Sequence, residues 1–437
     1  MSKPDNSAAS SQWQAFIERL YRQSEFAIKL GLESIDSALE REGRPEGAYR
    51  VILVGGTNGK GETSSFLSSI LTAHGFSVGL FTSPHILDFR ERFRVDGQLM
   101  SRASVLELGQ RVIAEYGEPD GPGPQLTFFE LATLMAAVGF ADVGVDVAVF
   151  EVGLGGRLDA TNALPAELSV ITSVALDHKQ YLGDTLELVA TEKAGIFRPE
   201  RPAVVGRQAH REAERTLRAL APEGTCFFGD DFGVDDEGAV VLEPQGLRFD
   251  WTQGLPPTRQ WNAACAVQAA SCFLGDELDP EALSRGLNSA RWPGRLDFRS
   301  LGAHDYLFDA AHNPDGAQAL FDYIDSAGVE VGAVVCSAMS DKDLAGIFTH
   351  LPDDLPVFAA VLDSPRGATS EQLRASLQSK QLAAVGSTDR MLAQARNIVD
   401  RSEGRAHILV FGSIYLLGEC FETLGIEANS LVTYLGS

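Results

Sequence analysis

An apolar run that ends in a glycine-rich turn and leads into a helical segment constrains the fold of this chain most strongly. Residues 51–54 are four consecutive apolar residues, Gly55 and Gly56 follow them, and Lys60 precedes the segment 62–74. Apolar side chains recur at helical spacing within that segment. A strand, a glycine-rich turn, a lysine and a helix in this order predict a phosphate-binding loop.

The chemistry of such a loop follows from its backbone. Glycines let N–H groups approach phosphate oxygens, and a helix N-terminus adds unsatisfied donors and the positive end of a dipole. We therefore expect Lys60 to reach the terminal phosphates of ATP. Gly61 stands where a magnesium-binding Ser or Thr usually follows the lysine, so magnesium must be held from elsewhere in the chain. The expected nucleotide contacts are Gly56, Thr57, Asn58, Gly59, Lys60 and Gly61.

Short apolar runs alternate with helical segments along most of the chain. Strands this apolar, interleaved with helices, indicate a parallel sheet that is covered on both faces. The sequence thus predicts an α/β fold. The further predicted strands are 147–152, 169–174, 306–309, 332–337, 357–362 and 408–411, and the further predicted helices are 128–140 and one from about Pro314.

An interruption near residues 291–303 divides the pattern, because Pro293 and Gly294 break the alternation there. We predict a doubly wound, P-loop-containing ATPase domain at 1–297 and a smaller Rossmann-like α/β domain at 298–437. Residues 200–258 are expected to form a less regular, β-rich excursion of the first domain. The polar residues 1–10 are expected to form a disordered tail.

Composition narrows the classes of partner. A net charge of −24 opposes binding to nucleic acid and to anionic membranes. No run approaches the ~20 apolar residues of a membrane-spanning helix, and the opening residues do not resemble a secretory signal.

The five cysteines are scattered without a C-x-x-C pair, which argues against a zinc site or a disulfide framework and favours small buried hydrophobic residues. We expect a cytoplasmic protein that acts on small molecules.

The loop at 56–61, GTNGKG, resembles the phosphate loop of folylpolyglutamate synthases, a branch of the Mur-ligase superfamily. Further blocks follow in the order of that family, and the twelve-residue block at 151–162 is the most specific. The resemblance implies a monomeric ligase that uses ATP and magnesium to join the amino group of L-glutamate to a folate-type carboxylate. The blocks are FTSPH at 81–85, EVGLGGRLDATN at 151–162, LDH at 176–178, EKAGI at 192–196, PGR at 293–295, FDAAHNP at 308–314, DKD at 341–343 and GS at 412–413.

Residue patterns place two of the metal candidates at one edge of the predicted sheet. Glu151 ends a predicted strand and His178 follows another, and ligands bind at the carboxyl ends of parallel strands. The resemblance implies that Ser83, Glu151 and His178 hold magnesium. It also implies that Lys193 is carbamylated and bridges to a second magnesium. Without the resemblance, His178 fits a buried, hydrogen-bonded histidine, because magnesium prefers oxygen ligands, and Lys193 fits a surface or salt-bridged lysine.

The resemblance assigns the remaining ligands as well. Asn262, Arg295 and Asp309 are implied to contact the nucleotide, and His312 is implied to contact the nucleotide and approach the glutamate side. Lys60, Lys193 and His312 are therefore the candidate catalytic residues.

The acyl substrate depends on segments that resemble the pterin site of bifunctional members. Residues 16–35 resemble the segment that covers the pterin, and Thr127 and Phe129 match pocket residues. Asp159 and Ala160 match residues that meet the ring. An aromatic side chain for stacking and a carboxylate for ring donors suit a flat heterocycle, although one of the aromatic pair at 128–129 fits helix core. We favour an enzyme that makes dihydrofolate from dihydropteroate and also extends polyglutamate tails, over one that only extends tails.

Glu62 departs from the family, which usually has Ser or Thr at this position. We predict that its side chain points away from the phosphates. The alternatives are weaker nucleotide binding or a divergent branch with another substrate.

Other classes of protein fit less well. A P-loop kinase or NTPase predicts a hydroxyl after Lys60, and a ligase for nucleotide-linked cell-wall precursors predicts a further domain before the loop, where about fifty residues stand. A catalytically inactive binding protein does not explain why Lys60, Ser83, Glu151, His178 and Lys193 occur together.

Overall fold

The structure is a computed structural model that describes residues 6–22, 31–243, 245–251, 256–401 and 406–432, with side chains described from residue 11 to residue 431 of these ranges. Its elements alternate between strand and helix, as the sequence predicts. The helices of the first part are α1 Asn6–Arg22, α2 Glu33–Arg41, α3 Lys60–Ala73, α4 Arg102–Val112, α5 Phe128–Val143, α6 Lys179–Leu182, α7 Leu186–Ala194, α8 Arg211–Leu220, α9 Pro257–Leu274 and α10 Pro280–Ser289. The strands of the first part are β1 Arg50–Gly55, β2 Val78–Phe81, β3 Phe93–Val95, β4 Gln98–Leu99, β5 Val147–Glu151, β6 Ala166–Ile171, β7 Ala203–Val205, β8 Cys226–Phe227, β9 Phe232–Val234, β10 Val240–Leu242 and β11 Leu247–Phe249.

The second part of the chain repeats the alternation. Its strands are β12 Asp297–Leu301, β13 His304–Asp309, β14 Val331–Cys336, β15 Val357–Ala360, β16 Leu382–Gly386 and β17 His407–Phe411. Its helices are α11 Pro314–Ser326, α12 Leu344–Phe348, α13 Ser370–Ser376, α14 Thr388–Val399, α15 Ile414–Thr423 and α16 Ala428–Val432.

The described strands form three sheets. The main sheet has the order β4-β3-β2-β5-β1-β6-β7-β8, and it is parallel from β2 to β8, with β3 and β4 antiparallel at one edge. A small antiparallel sheet has the order β11-β10-β9. The third sheet has the order β12-β13-β17-β14-β15-β16, and only β12 is antiparallel.

The main sheet is buried on both faces. Along β1, Val51 and Leu53 pack into one core with α1, α2, α4 and α5, whereas Ile52 and Val54 pack into the other with α3, α9 and α10. Side chains alternate between the faces of a strand, so a continuous apolar run fits a doubly wound sheet. The predicted α/β fold class is confirmed. The boundary predicted at residue 297 stays a prediction, and β12 begins at that residue.

Three predicted segments differ from the structure. Residues 6–10, predicted as a disordered tail, lie in α1, because Trp13, Phe16 and Leu20 recur at helical spacing and are buried. The strand predicted at 169–174 is β6, which ends at Ile171. In the stretch 200–258, β7 and β8 extend the main sheet, and only β9–β11 form a separate β-rich unit. Residues 23–30 of the predicted pterin-covering segment lie outside the described residues.

Candidate active site

The carboxyl ends of the parallel strands of both large sheets face one cavity of about 450 Å³. The ends of β1, β5 and β6 bring the loop after Gly55, the side chain of Glu151 and the turn at 172–175 to it. The end of β13 brings Asp309. Because open α/β sheets bind ligands at the carboxyl ends of their strands, this cavity is the candidate active site.

Glycines allow the loop after β1 to lie close to its neighbours. A Cβ on Gly56 would stand 1.9 Å from Thr172 Oγ1, and a Cβ on Gly59, whose φ is 87°, would stand 2.3 Å from Asn262 Oδ1. Lys60 begins α3, and its Nζ donates to Thr57 O at 3.2 Å. The six predicted nucleotide contacts at 56–61 all line the cavity.

Asn58 links this loop to the second part of the chain. Its Nδ2 donates to Asn313 Oδ1 at 3.3 Å, and Asn313 Nδ2 donates to Asn58 Oδ1 at 3.0 Å. Asn313 also caps α11, where its Oδ1 accepts from Gly316 N at 2.8 Å. Sequence reasoning placed Asn313 in a family block but gave it no role, because nothing in the local pattern shows its partner.

The three predicted magnesium ligands lie around the cavity. Glu151 is buried, and its Oε2 accepts from Ser83 N at 2.9 Å. Burial raises the pKa of Glu151, and the positive charge of Lys60 opposes that shift. Burial lowers the pKa of His178 to about 4, so its imidazole is neutral, which is the form that binds metals. No group of three His, Cys, Asp or Glu side chains suited to a metal occurs in the described part of the chain.

Lys193 is buried near the end of α7, beside the phosphate loop. Its Nζ donates to Gly56 O at 2.8 Å. Burial, with the charge of Lys60 added, lowers the pKa of Lys193 to about 7. A substantial fraction of this amine is therefore uncharged at neutral pH, unlike the amine of an exposed lysine.

Asp177 joins the two parts of the chain through charged groups. Lys342 Nζ lies 2.7 Å from Asp177 Oδ1 and 3.4 Å from His178 Nε2, and His312 Nε2 lies 3.6 Å from Asp177 Oδ2. Burial works to raise the pKa of Asp177, but the hydrogen bond from His312 and the charges of His178 and Lys342 hold it well below its ordinary value. Asp177 and Lys342 stand in the blocks quoted from the sequence, yet no role was assigned to them, because their partners lie far away in the chain.

The remaining predicted nucleotide ligands also line the cavity. Arg295 Nη1 lies 3.5 Å from Asp309 Oδ1, and Asp309 accepts from Leu296 N at 2.9 Å and Ala311 N at 2.8 Å. Burial raises the pKa of Asp309, and Arg295 opposes that shift. Asn262, on α9, donates from its Nδ2 to Glu62 Oε2 at 2.7 Å.

None of the four predicted pterin residues lines the main cavity, and two of them, Phe129 and Asp159, contact residues that do. A Cβ on Gly153, which does line the cavity, would stand 2.5 Å from Phe129 Cζ. Asp159 Oδ2 accepts from Leu154 N at 2.8 Å in the same turn, and Ala160 is buried beside it. Thr127 caps α5, where its hydroxyl donates to Glu130 Oε2 at 2.7 Å.

Phe128 packs against other residues than Phe129 does, a difference that the sequence alone does not predict. Its ring stacks on Tyr21 with centroids 5.5 Å apart, and the guanidinium of Arg92 lies 5.2 Å from its centroid.

Known proteins resemble the chain over most of its length. A family model described as the Mur ligase glutamate ligase domain matches residues 294–414. The dihydrofolate synthase/folylpolyglutamate synthase of Escherichia coli strain K12 is 37% identical over 380 residues, which cover 85% of this chain and 86% of that enzyme.

Solved structures show the same similarity. Escherichia coli FolC in complex with DHPP and ADP is 34% identical, with a TM-score of 0.79, and the match covers 95% of this chain and 98% of that one. The bifunctional folylpolyglutamate synthase/dihydrofolate synthase of Yersinia pestis, complexed with AMPPNP and a manganese ion, is 31% identical, with a TM-score of 0.79 over 97% of this chain and 100% of that one. Among the described residues, no helix is both long and apolar enough to span a membrane.

Proposed function

Because this chain belongs to the dihydrofolate synthase/folylpolyglutamate synthase family of Mur ligases, we propose that it ligates L-glutamate to dihydropteroate and to the γ-glutamyl carboxylates of folates, with ATP as the energy source. The observation that carries this proposal is the convergence of Lys60, Glu151, His178 and Lys193 with His312 of the second part around one cavity. The substrate carboxylate attacks the γ-phosphorus of ATP, and ADP leaves. The amine of glutamate then attacks the acyl phosphate, and phosphate leaves.

Cationic side chains and closure by two domains suit this chemistry. Lys60 and Arg295 line the cavity and neutralise charge on the phosphates as the phosphoryl group is transferred. The contacts Asn58–Asn313 and Asp177–Lys342 hold the two parts together beside the loop. This closure excludes water, which would otherwise hydrolyse the acyl phosphate.

The residues around Glu151 fit a magnesium ion. A buried carboxylate, a hydroxyl from Ser83 and a neutral imidazole from His178 supply a small donor set, and magnesium usually completes such a set with waters and substrate phosphates. When bound, the ion neutralises phosphate charge. Ser83 would then supply the magnesium-binding hydroxyl that usually follows the loop lysine and that is missing after Lys60.

A second magnesium and carbamylation of Lys193 are part of the proposal. The uncharged amine reacts with carbon dioxide, forms an N–C bond and releases a proton, and the product is a carboxylate. Burial beside Lys60 supports this step, because it keeps part of the amine uncharged, and a carboxylate is favoured next to a lysine and a metal.

A pterin subsite beside the turn at 153–155 supports the bifunctional assignment. Phe129 offers a ring face, and the carboxylate of Asp159, which accepts from Leu154 N and from Thr161, lies in the turn that Phe129 packs against. Thr127 supports the start of α5 rather than offering a free hydroxyl.

We further infer that the protein is a cytoplasmic monomer without a nucleic-acid partner. The net charge of −24 supports the last point, because it repels phosphate backbones. The family resemblance supports the monomer.

Release of phosphate from ATP tests the proposal directly. Purified protein receives magnesium and L-glutamate, with dihydropteroate in one assay and tetrahydrofolate in the other. We expect glutamate-dependent turnover with both, and loss of both in Lys60→Met. Turnover with tetrahydrofolate alone would support a folylpolyglutamate synthase that lacks the first activity. No phosphate release with either acyl substrate, in protein that still binds ATP, would refute the folate assignment.

A further inference from the structure

Two of the five cysteines lie side by side outside the candidate active site. Cys226, on the edge strand β8, and Cys272, near the end of α9, have Sγ atoms 3.8 Å apart although 46 residues separate them in sequence. Both are partly exposed, and neither lines the cavity. Local sequence does not predict this pair, because no short spacing between cysteines marks it.

A buried amide connects the two sulfurs. Gln268, one helical turn before Cys272 on α9, donates from Nε2 to Cys226 Sγ at 3.3 Å and to Cys272 Sγ at 3.4 Å. A hydrogen bond from Cys226, with the amide of Gln268 acting in the same direction, lowers the pKa of Cys272 to about 7. The pKa of Cys226 is raised, first by its hydrogen bond to Cys272 and then by burial. The two thiols therefore differ in acidity, and Cys272 is the one that loses its proton more readily.

The three other cysteines differ in their surroundings. Cys265, Cys336 and Cys420 are fully buried, and burial raises the pKa of each thiol. Thiolate character and access to solvent decide which cysteines react with oxidants. Both properties single out Cys272, and its neighbour Cys226 shares the access to solvent.

We propose that Cys226 and Cys272 form a redox-active dithiol, a modification site at which a peroxide closes an intramolecular disulfide. The thiolate of Cys272 attacks one oxygen of hydrogen peroxide, a sulfenic acid forms, and hydroxide leaves and takes up a proton. The thiol of Cys226 then attacks the sulfenic sulfur, the S–S bond forms, and water leaves with the proton of Cys226. Two thiols are oxidised and one peroxide is reduced to two waters.

The two sulfurs are a short approach away from bonding. A disulfide has sulfurs about 2.05 Å apart, so the pair, which lies 3.8 Å apart, must close by about 1.8 Å. Once formed, the bond ties the edge strand β8 to α9, the helix that also carries Asn262. The site therefore lies on the same helix as a nucleotide ligand, without touching the cavity.

Thiol counting and peptide mapping test this proposal on the full-length protein. The folded wild type is treated mildly with hydrogen peroxide and then unfolded so that all thiols can be counted. We expect it to have lost two of its five thiols. Mapping should find one cross-linked peptide pair that joins Cys226 to Cys272, and dithiothreitol should restore all five. Retention of both thiols, or sulfinic acid at Cys272 with Cys226 still free, would overturn the proposal. Cross-links between molecules on a non-reducing gel would overturn it as well.

Single variants separate the two roles. With the second thiol absent, Cys226→Ser is expected to accumulate sulfenic acid at Cys272, which a dimedone reagent labels and which the wild type does not retain. Cys272→Ser should lose thiols more slowly than Cys226→Ser, because it lacks the attacking thiolate. Cys420→Ser, a buried control, should form the same cross-link as the wild type. Equal rates of thiol loss in the two single variants would contradict the assignment of Cys272 as the attacking residue.

Discussion

Arg259 Nε lies 2.6 Å from Glu62 Oε1, and this contact joins α9 to the first turn of the helix that follows the phosphate loop. The other carboxylate oxygen accepts from Asn262 Nδ2 at 2.7 Å. The side chain of Glu62 is 6% exposed and that of Arg259 is 17% exposed. Glu62, which departs from the family pattern, thus lies at the cavity with both carboxylate oxygens directed at α9. The positive charge of Arg259 balances its negative charge.

Replacing Arg259 with methionine should reveal the effect of the negative charge of Glu62. The Arg259→Met variant leaves a buried carboxylate without its cation, which typically costs about 3 kcal/mol of unfolding free energy. The uncompensated charge should also weaken ATP binding severalfold, because it lies beside the phosphate loop. Urea unfolding and titration calorimetry with ATP measure the two effects.

The matched control is the double variant Glu62→Gln, Arg259→Met, in which both charges are removed together. We expect it to recover most of the stability and ATP affinity. Glu62→Ser made together with Arg259→Met, so that no charge is left unpaired, should bind ATP within about twofold of the wild type, an effect well under 1 kcal/mol. A severalfold tighter complex in that double variant would mean that the carboxylate opposes the phosphates in the wild type.

Local pattern was sufficient to predict the elements that hold the site. The apolar run at 51–54 and the helical spacing at 62–74 correspond to β1 and α3, because a buried parallel strand and a packed helix each have a distinct period. The carboxyl-edge argument placed Glu151 and His178 at one cavity for the same reason.

Contacts over long sequence separations could not be predicted in this way. Asn58 meets Asn313, and Cys226 meets Cys272, only because the tertiary fold brings them together. The end of β6 was predicted too late because Thr172 and Val174 are β-branched residues, which suit a strand. Thr172 instead turns its hydroxyl to Asn58 O at 2.7 Å, which ends the strand at the phosphate loop.

Removing the charge of Glu151 should raise the magnesium requirement. In Glu151→Gln the amide keeps an acceptor for Ser83 N but loses the negative charge that attracts the cation. We expect the magnesium concentration for half-maximal turnover to rise at least about tenfold. Glu167→Gln is the control, since Glu167 lies on β6, which β1 separates from β5, and pairs only with Arg50 at the far end of β1 in the described contacts. Equal magnesium dependence in the two variants would contradict a metal at Glu151.

We predict that Asp88 makes part of the free energy of unfolding depend on pH in the acidic range. Burial works to raise the pKa of Asp88, but hydrogen bonds and charge from Arg90 hold it below the ordinary value of 3.8. The folded state therefore binds fewer protons than the unfolded state as pH falls, so this stabilisation is present above pH 3.8 and is lost as pH falls through the folded pKa. In Asp88→Asn, which keeps the cap on Arg90 N, the loss of unfolding free energy should be largest at neutral pH and shrink below pH 3.8. Urea unfolding of both proteins across this range measures it, and a difference that does not vary with pH would refute it.

If Lys193 is carbamylated as proposed, a small carboxylate from solution should replace the carboxylate that it carries. Lys193→Ala removes the amine that donates to Gly56 O and leaves a space beside the phosphate loop. We expect glutamate-dependent turnover to fall at least about a hundredfold, since groups that orient a metal or a phosphate contribute this much. If the wild type acts through a carbamylated lysine, added formate or acetate should restore part of the activity of Lys193→Ala, whereas methylammonium should not. The reverse result, rescue by the amine alone, would show that Lys193 acts as an ammonium group, and the wild type should then be indifferent to removal of bicarbonate and carbon dioxide.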